Sequence, residues 1–122
     1  MAEPALDQIH IRDLRLRCVI GVYPDERRDK QDVNFNITLY ADLGRAAQTD
    51  QLADTVDYKA VKKDIIAMVE ASSFQLVERL AERVAEICLG HPHVRGARVV
   101  AEKPGALRFA RTVAVEIVRW RK

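Results

Sequence analysis

Asp54-Thr55-Val56-Asp57-Tyr58 divides this chain. Ahead of it, apolar residues recur at every second position, the spacing of half-buried strands. Behind it they recur every three or four positions, the spacing of helices. Asp57 suits the start of the first helix. Its carboxylate can accept hydrogen bonds from the first free N–H groups, and its charge suits the positive helix end. The same placement sets Tyr58 at the mouth of a helix, where a side chain can face a ligand.

Working back from this point, Val33, Phe35, Ile37 and Leu39 alternate with Asn34, Asn36, Thr38 and Tyr40. This is the cleanest strand pattern in the chain, and it can pair antiparallel with an earlier one. In that earlier strand Ile9 and Ile11 are apolar and His10 and Arg12 polar. The alternation resumes after Asp13 as Leu14, Leu16, Cys18 and Ile20. The step at Asp13-Leu14 predicts a bulge where the apolar face changes parity. Residues 1–8 read as a loose lead-in. Gly21 to Asp32 is a polar loop, long for a simple hairpin, and it holds the candidate acids Asp25 and Glu26. Residues 42–54 are polar and alanine-rich, with room for a short helical turn.

Working forward, Val61, Ile65, Met68 and Val69 form one stripe of a helix, widened by Ile66 and Ala67. Ser72-Ser73 breaks it. A second helix carries Leu76, Leu80, Val84 and Ile87 beside Val77, Ala81, Ala85 and Cys88, and Gly90 and Pro92 stop it. A third strand is expected over Val94–Lys103, a turn at Lys103-Pro104-Gly105, and a fourth strand from about Arg111 to Trp120. The order is β-β-α-α-β-β, an α+β protein. One four-stranded antiparallel sheet covered by two helices on one face is the simplest packing. Its two open edges favour self-association, to which Trp120 could contribute.

Composition narrows the function. The chain has 122 residues, enough for a single domain spanning 1–122, with 48% hydrophobic and 31% charged residues. Net charge is +2, so nothing demands nucleic acid, and Arg119-Trp120-Arg121-Lys122 reads as a solvated basic tail. No apolar run approaches the ~18 residues of a membrane span, and the N-terminus lacks a signal-peptide pattern, so cytoplasm is the expected compartment. Cys18 and Cys88 read as buried reduced thiols. Three histidines, two of them kept off a shared helix face by Pro92, give poor support for a metal site, and none is expected. Glu26, Tyr58, Glu78 and Lys103 stand at or near element ends. By themselves such residues are commonly solvated on the surface, and the pattern does not show that they converge.

Four segments together carry a resemblance. They are Ile20-Gly21-Val22 with Glu26-Arg27 and Gln31; Asp54 to Tyr58; Phe74-Gln75-Leu76-Val77-Glu78-Arg79-Leu80-Ala81; and Glu102-Lys103-Pro104-Gly105-Ala106. In this order and spacing, over about residues 8–120, they resemble the dihydroneopterin aldolase family. Leu14-Arg15-Leu16-Arg17 and Ala106-Leu107-Arg108-Phe109-Ala110 are more similar to a sister family, dihydroneopterin triphosphate 2'-epimerase. The resemblance implies a tunnelling fold (T-fold) and assembly into homotetrameric rings or homo-octamers with sites between subunits. It also implies retro-aldol cleavage of 7,8-dihydroneopterin in folate synthesis, with no cofactor.

Roles implied by matched position follow. Glu78 would anchor the pterin, helped by the backbone of Val77. Lys103 would be the acid/base group. Tyr58, from an adjacent subunit, would position the side chain of the substrate. Glu26 would bind or deprotonate its hydroxyls, with Gln31 behind it, and Thr55 and Val56 would shape the pterin slot. For an epimerase acting on the triphosphate, Arg108, Arg111 and Arg27 or Arg28 are available as phosphate partners. A pterin- or purine-binding oligomer without catalysis would need mainly Glu78. The presence of both Tyr58 and Lys103 argues for catalysis.

Overall fold

The computed structural model describes residues 5–122. Its sheet runs β1 (Asp7–Cys18), β2 (Gln31–Ala41), β3 (Gly96–Pro104) and β4 (Thr112–Trp120), adjacent in that order and antiparallel throughout. Between β2 and β3 come a short α1 (Gly44–Thr49), then α2 (Tyr58–Glu70) and α3 (Val77–Leu89).

Cross-strand rows explain why the apolar alternation builds one core. Ile11, Ile37, Val99 and Ile117 lie side by side across four strands, as do Leu14, Phe35, Ala101 and Val115. Residues paired in register share a face, so each row presents one apolar ridge. Val61, Ile65 and Val69 of α2, at intervals of four, bury against this face. Leu80, Ala81, Val84, Ala85 and Cys88 of α3 do the same. Cys18 and Cys88 are free and fully buried. Burial raises both thiols, Cys88 to about 12, so neither is a ready nucleophile near neutral pH.

The expected bulge is present. Pairing shifts between Ile11 and Leu14, and Asp13 takes φ 55°. A short polar side chain tolerates that left-handed conformation better than most. The Asp13 N–H donates to Asn36 Oδ1 at 2.9 Å, and Asn34 Nδ2 donates to Asp13 Oδ1 at 3.2 Å. The slip moves the core positions from Ile9 and Ile11 to Leu14 and Leu16, which keeps all four facing the helices.

The start of α2 is also as read. Asp57 Oδ1 accepts from the Ala60 N–H at 3.1 Å. Asp57→Ala is expected to destabilise the protein by about 1 kcal/mol. An unchanged urea midpoint would show that packing alone sets where α2 begins.

Other boundaries differ. Asp7 and Gln8 already pair with Ala41 and Tyr40, so the lead-in is shorter than eight residues; residues 1–4 lie outside the described part. β2 begins at Gln31, two residues inside the expected loop, and β3 begins at Gly96 instead of Val94. The C-terminal basic cluster is more than a solvated tail. Arg119 Nε donates to Glu82 at 3.1 Å, and Arg121 donates to the carbonyls of Val94 and His91 at 2.9 and 2.8 Å. Trp120 lies on Gly96 and against Tyr40, ring centroids 4.9 Å apart, and still leaves 53% of its surface exposed. Among the described residues no helix is long and apolar enough to cross a membrane.

Candidate functional site

Ala97, Val99 and Ala101 point from β3 into the core, and Lys103 is the next residue on that face. Its stem continues the apolar row, leaving the residue 7% exposed. A buried ammonium is costly unless it is paired. The partner is Glu26, 77 residues earlier in the chain, whose Oε2 accepts from Lys103 Nζ. Glu26 sits in a 3-10 turn, Pro24–Arg27, and its Oε1 faces the N–H groups of Val22 and Tyr23, each at 3.3 Å. The Lys103 hydrogen bond, then the Tyr23 N–H, hold its carboxyl below the ordinary carboxylate value. The Glu26 carboxylate therefore stays ionised at neutral pH, and its side of the pair is lost as pH falls through that lowered value.

The loop carrying Glu26 is fastened from both sides. Gln31 Nε2 donates to the carbonyls of Ile20 at 2.7 Å and Glu26 at 2.9 Å. Arg27 donates to the carbonyls of Gly21 at 2.8 Å, Ser73 at 2.7 Å and Phe74 at 3.3 Å. The Gly21 N–H donates to Phe74 O at 3.3 Å. Three carbonyls thus occupy the guanidinium that was expected to be free for phosphate. Sequence reasoning gave Arg27 no such role, and residue type alone carries no signal for it. Gly21 was likewise read only as the end of a strand. Its φ is +144°, and a Cβ there would overlap the Cβ of Glu26 and come within 2.7 Å of its Cδ.

The Ser73–Phe74 link held by Arg27 leads into α3. Leu76 is extended, Val77 is half-buried, and Glu78 is exposed in the first turn. An acidic group there is favoured by the positive helix end. Glu78 makes no hydrogen bond or ion pair to any described residue, so its carboxylate is open to a ligand.

Thr55, Val56 and Tyr58 fall elsewhere. The Asp54 carboxylate accepts from Thr49 Oγ1 at 2.6 Å and Arg45 Nε at 3.0 Å, which ties α1 to the turn before Thr55. These bonds, the Thr49 hydroxyl first, lower the Asp54 carboxyl. Beyond it Leu52, the run Thr55–Ala60 and Lys63 line an open groove of about 580 Å³. Val56 forms its buried floor, and the Tyr58 ring stands in it, 55% exposed. This groove and the Glu26–Lys103 pair have no lining residue in common. One chain therefore presents two groups of candidates: Glu26, Gln31 and Lys103, joined by the bonds above, with Val77 and Glu78 following the Ser73–Phe74 link in sequence, and Thr55, Val56 and Tyr58 at the head of α2. A separate depression, about 650 Å³, lies on the free face of the sheet among Asp13, Arg15, Asn34, Glu102 and Arg111, and holds none of these candidates. No group of three or more His, Cys, Asp or Glu among the described residues could hold a metal ion.

The profile of the FolB dihydroneopterin aldolase family matches residues 9–118. The chain belongs to the dihydroneopterin aldolase family. It is 36% identical to a dihydroneopterin triphosphate 2'-epimerase of Pseudomonas aeruginosa over 94% of each chain. It is 42% identical to a dihydroneopterin aldolase of Streptomyces coelicolor over 83% of this chain and 85% of that one. The crystal structure of Escherichia coli dihydroneopterin aldolase in complex with neopterin superposes with TM-score 0.89 at 36% identity, covering 93% of this chain and 99% of the other. The sheet and two main helices are thus those of the dihydroneopterin aldolase T-fold. This family member is an enzyme of the folate-synthesis type, with relatives named aldolase and epimerase at similar identity.

Proposed function

We propose that the protein cleaves 7,8-dihydroneopterin by a retro-aldol reaction to 6-hydroxymethyl-7,8-dihydropterin and glycolaldehyde. The observation that carries this reading is the Lys103–Glu26 ion pair at the end of the core. It sets a proton donor and a proton acceptor side by side. The neopterin held by the Escherichia coli relative supports a pterin substrate.

The C1'–C2' bond breaks if its electrons have somewhere to go. The substrate's ring imine accepts them once N5 is protonated. Lys103 supplies that proton, directly or through water. Glu26 takes the proton of the 2'-hydroxyl, and C2' leaves as the aldehyde carbon of glycolaldehyde. C1' is then protonated and N5 gives its proton back. Glu78 anchors the pterin, because a carboxylate can accept two parallel N–H bonds from the 2-amino group and the ring nitrogen. The Val77 backbone assists, and Gln31 holds the Glu26 backbone in place.

In this reading Tyr58, Thr55 and Val56 act on the site of a neighbouring subunit, in a ring of four or a stack of two rings. Tyr58 positions the trihydroxypropyl chain and aids proton delivery to C1', and Thr55 and Val56 flank the pterin. Two features support assembly. The candidates form two separate groups in one chain, and β1 and β4 are edge strands in the isolated sheet, each with one side unpaired.

A second reading is 2'-epimerisation of 7,8-dihydroneopterin triphosphate, which opens the same bond and closes it on the other face. The similarity to the Pseudomonas aeruginosa epimerase favours it. Purified protein incubated without added metal separates the readings. Hydroxymethyl-dihydropterin with glycolaldehyde from dihydroneopterin is the expected result. A 2'-epimer formed from the triphosphate with little cleavage would select the second reading. No conversion of either would leave a pterin- or purine-binding oligomer.

A further inference from the structure

The groove around Tyr58 continues along α2. A second depression adjoins it, lined by Lys59, Lys62, Lys63 and Ile66, and the two depressions share Lys59 and Lys63. Positions 59, 62 and 63 fall on one face of a helix. That face points away from the core, which takes Val61, Ile65 and Val69. All three lysines are exposed, and none is ion-paired among the described residues. Of the nearby carboxylates, Asp57 lines the same groove, and Asp64 and Asp54 are engaged elsewhere. Asp57 accepts from the Ala60 N–H, Asp64 contacts His91 Nε2 at 2.8 Å, and Asp54 holds Thr49 and Arg45. A strip of three ammonium groups, each without an ion-pair contact among the described residues, therefore begins beside the Tyr58 ring. From Tyr58 to Ile66 it follows the helix for about 12 Å.

The arginines offered by the sequence are less suited to a phosphate. Arg27 is bound to three carbonyls. Arg28 pairs with Asp25 at 3.4 Å, Arg111 faces Glu102 at 3.8 Å, and Arg108 lies over the Phe109 ring. Lysine is a compact point charge well matched to a mobile phosphate chain.

We infer that Lys59, Lys62 and Lys63 form a phosphate shelf that receives the phosphorylated end of a dihydropterin side chain and sets a preference for phosphate esters over the free alcohol. This rests on the reading above, in which Tyr58 contacts that side chain.

The test compares wild type with the triple variant Lys59→Ala, Lys62→Ala, Lys63→Ala. It measures kcat/KM for dihydroneopterin and for its triphosphate at low and high salt, with a thermal melt to confirm folding. Three exposed charge contacts predict that the triphosphate-to-alcohol ratio falls by about tenfold or more in the variant. The salt dependence of the triphosphate reaction should shrink with it. The same ratio in both proteins would overturn the shelf while leaving the cleavage reading intact. If wild type converts neither compound, the functional reading fails, and calorimetry with inorganic tripolyphosphate decides the shelf. Binding that the triple variant loses would sustain it; equal binding, or none, would overturn it.

Discussion

Lys103→Ala is expected to lower turnover of 7,8-dihydroneopterin by about 10²-fold or more, the usual scale for losing a positioned acid or base. The substitution is unusually readable. The alanine extends the row of Ala97 and Ala101 on the same face of β3, so little is asked of the backbone. The Glu26 carboxylate left behind has 30% of its side-chain surface exposed and two backbone N–H groups facing it, so it can rehydrate. A modest change in melting temperature with a collapse in rate would therefore report on chemistry. Lys103→Arg sharpens the test. A guanidinium keeps the charge beside Glu26 but scarcely releases a proton near neutral pH, so the rate should stay low. Near-normal turnover in either variant would remove Lys103 from the proton-transfer role.

Gly21→Ala is expected to damage stability and rate together. The backbone there has φ +144°, where an L side chain is strained by about 1–3 kcal/mol. The added methyl would also overlap the Cβ of Glu26. Neither neighbour yields easily. The Gly21 N–H is bonded to Phe74 and its carbonyl to Arg27, while the Glu26 carbonyl is held by Gln31. Turning the Glu26 side chain cannot move its own Cβ, so relief requires a shift of the Glu26 backbone, which carries the carboxylate away from Lys103. The melting temperature should drop by about 5–15 °C, and turnover should fall toward that of a Glu26→Ala enzyme. A variant with full activity and an unchanged melt would show that the loop between β1 and β2 can re-form without this glycine.

Much of the fold is local and so was legible. The alternation in β2 marks its buried face residue by residue, because successive side chains on a strand point to opposite faces. The Asp13 step shows as a change of parity, and the α2 start as an aspartate ahead of a helical stripe. Boundaries were less legible. The start of β1 at Asp7 depends on pairing with Ala41, a partner 34 residues away that no short window contains.

The candidate site shows the same division. The four segments that contain Glu26, Tyr58, Glu78 and Lys103 resemble a family, and the chain belongs to it. They did not show which of these residues meet. Arg27 looked like a free cation and is a clamp on three carbonyls; Arg119 and Arg121 looked like a tail and are tied to α3 and the turn after it. A guanidinium has the same sequence signature in water and on a carbonyl.

By itself the sequence determined the order of elements, the face each buries and the family, since these follow from side-chain periodicity and residue identity along the chain. Only the tertiary structure decided that Lys103 meets Glu26, that Gly21 makes room for it, and that Tyr58 stands apart at the head of a lysine-lined groove. Those facts depend on closing long loops against a common core, and the partners that closure brings together leave no mark on their local sequence.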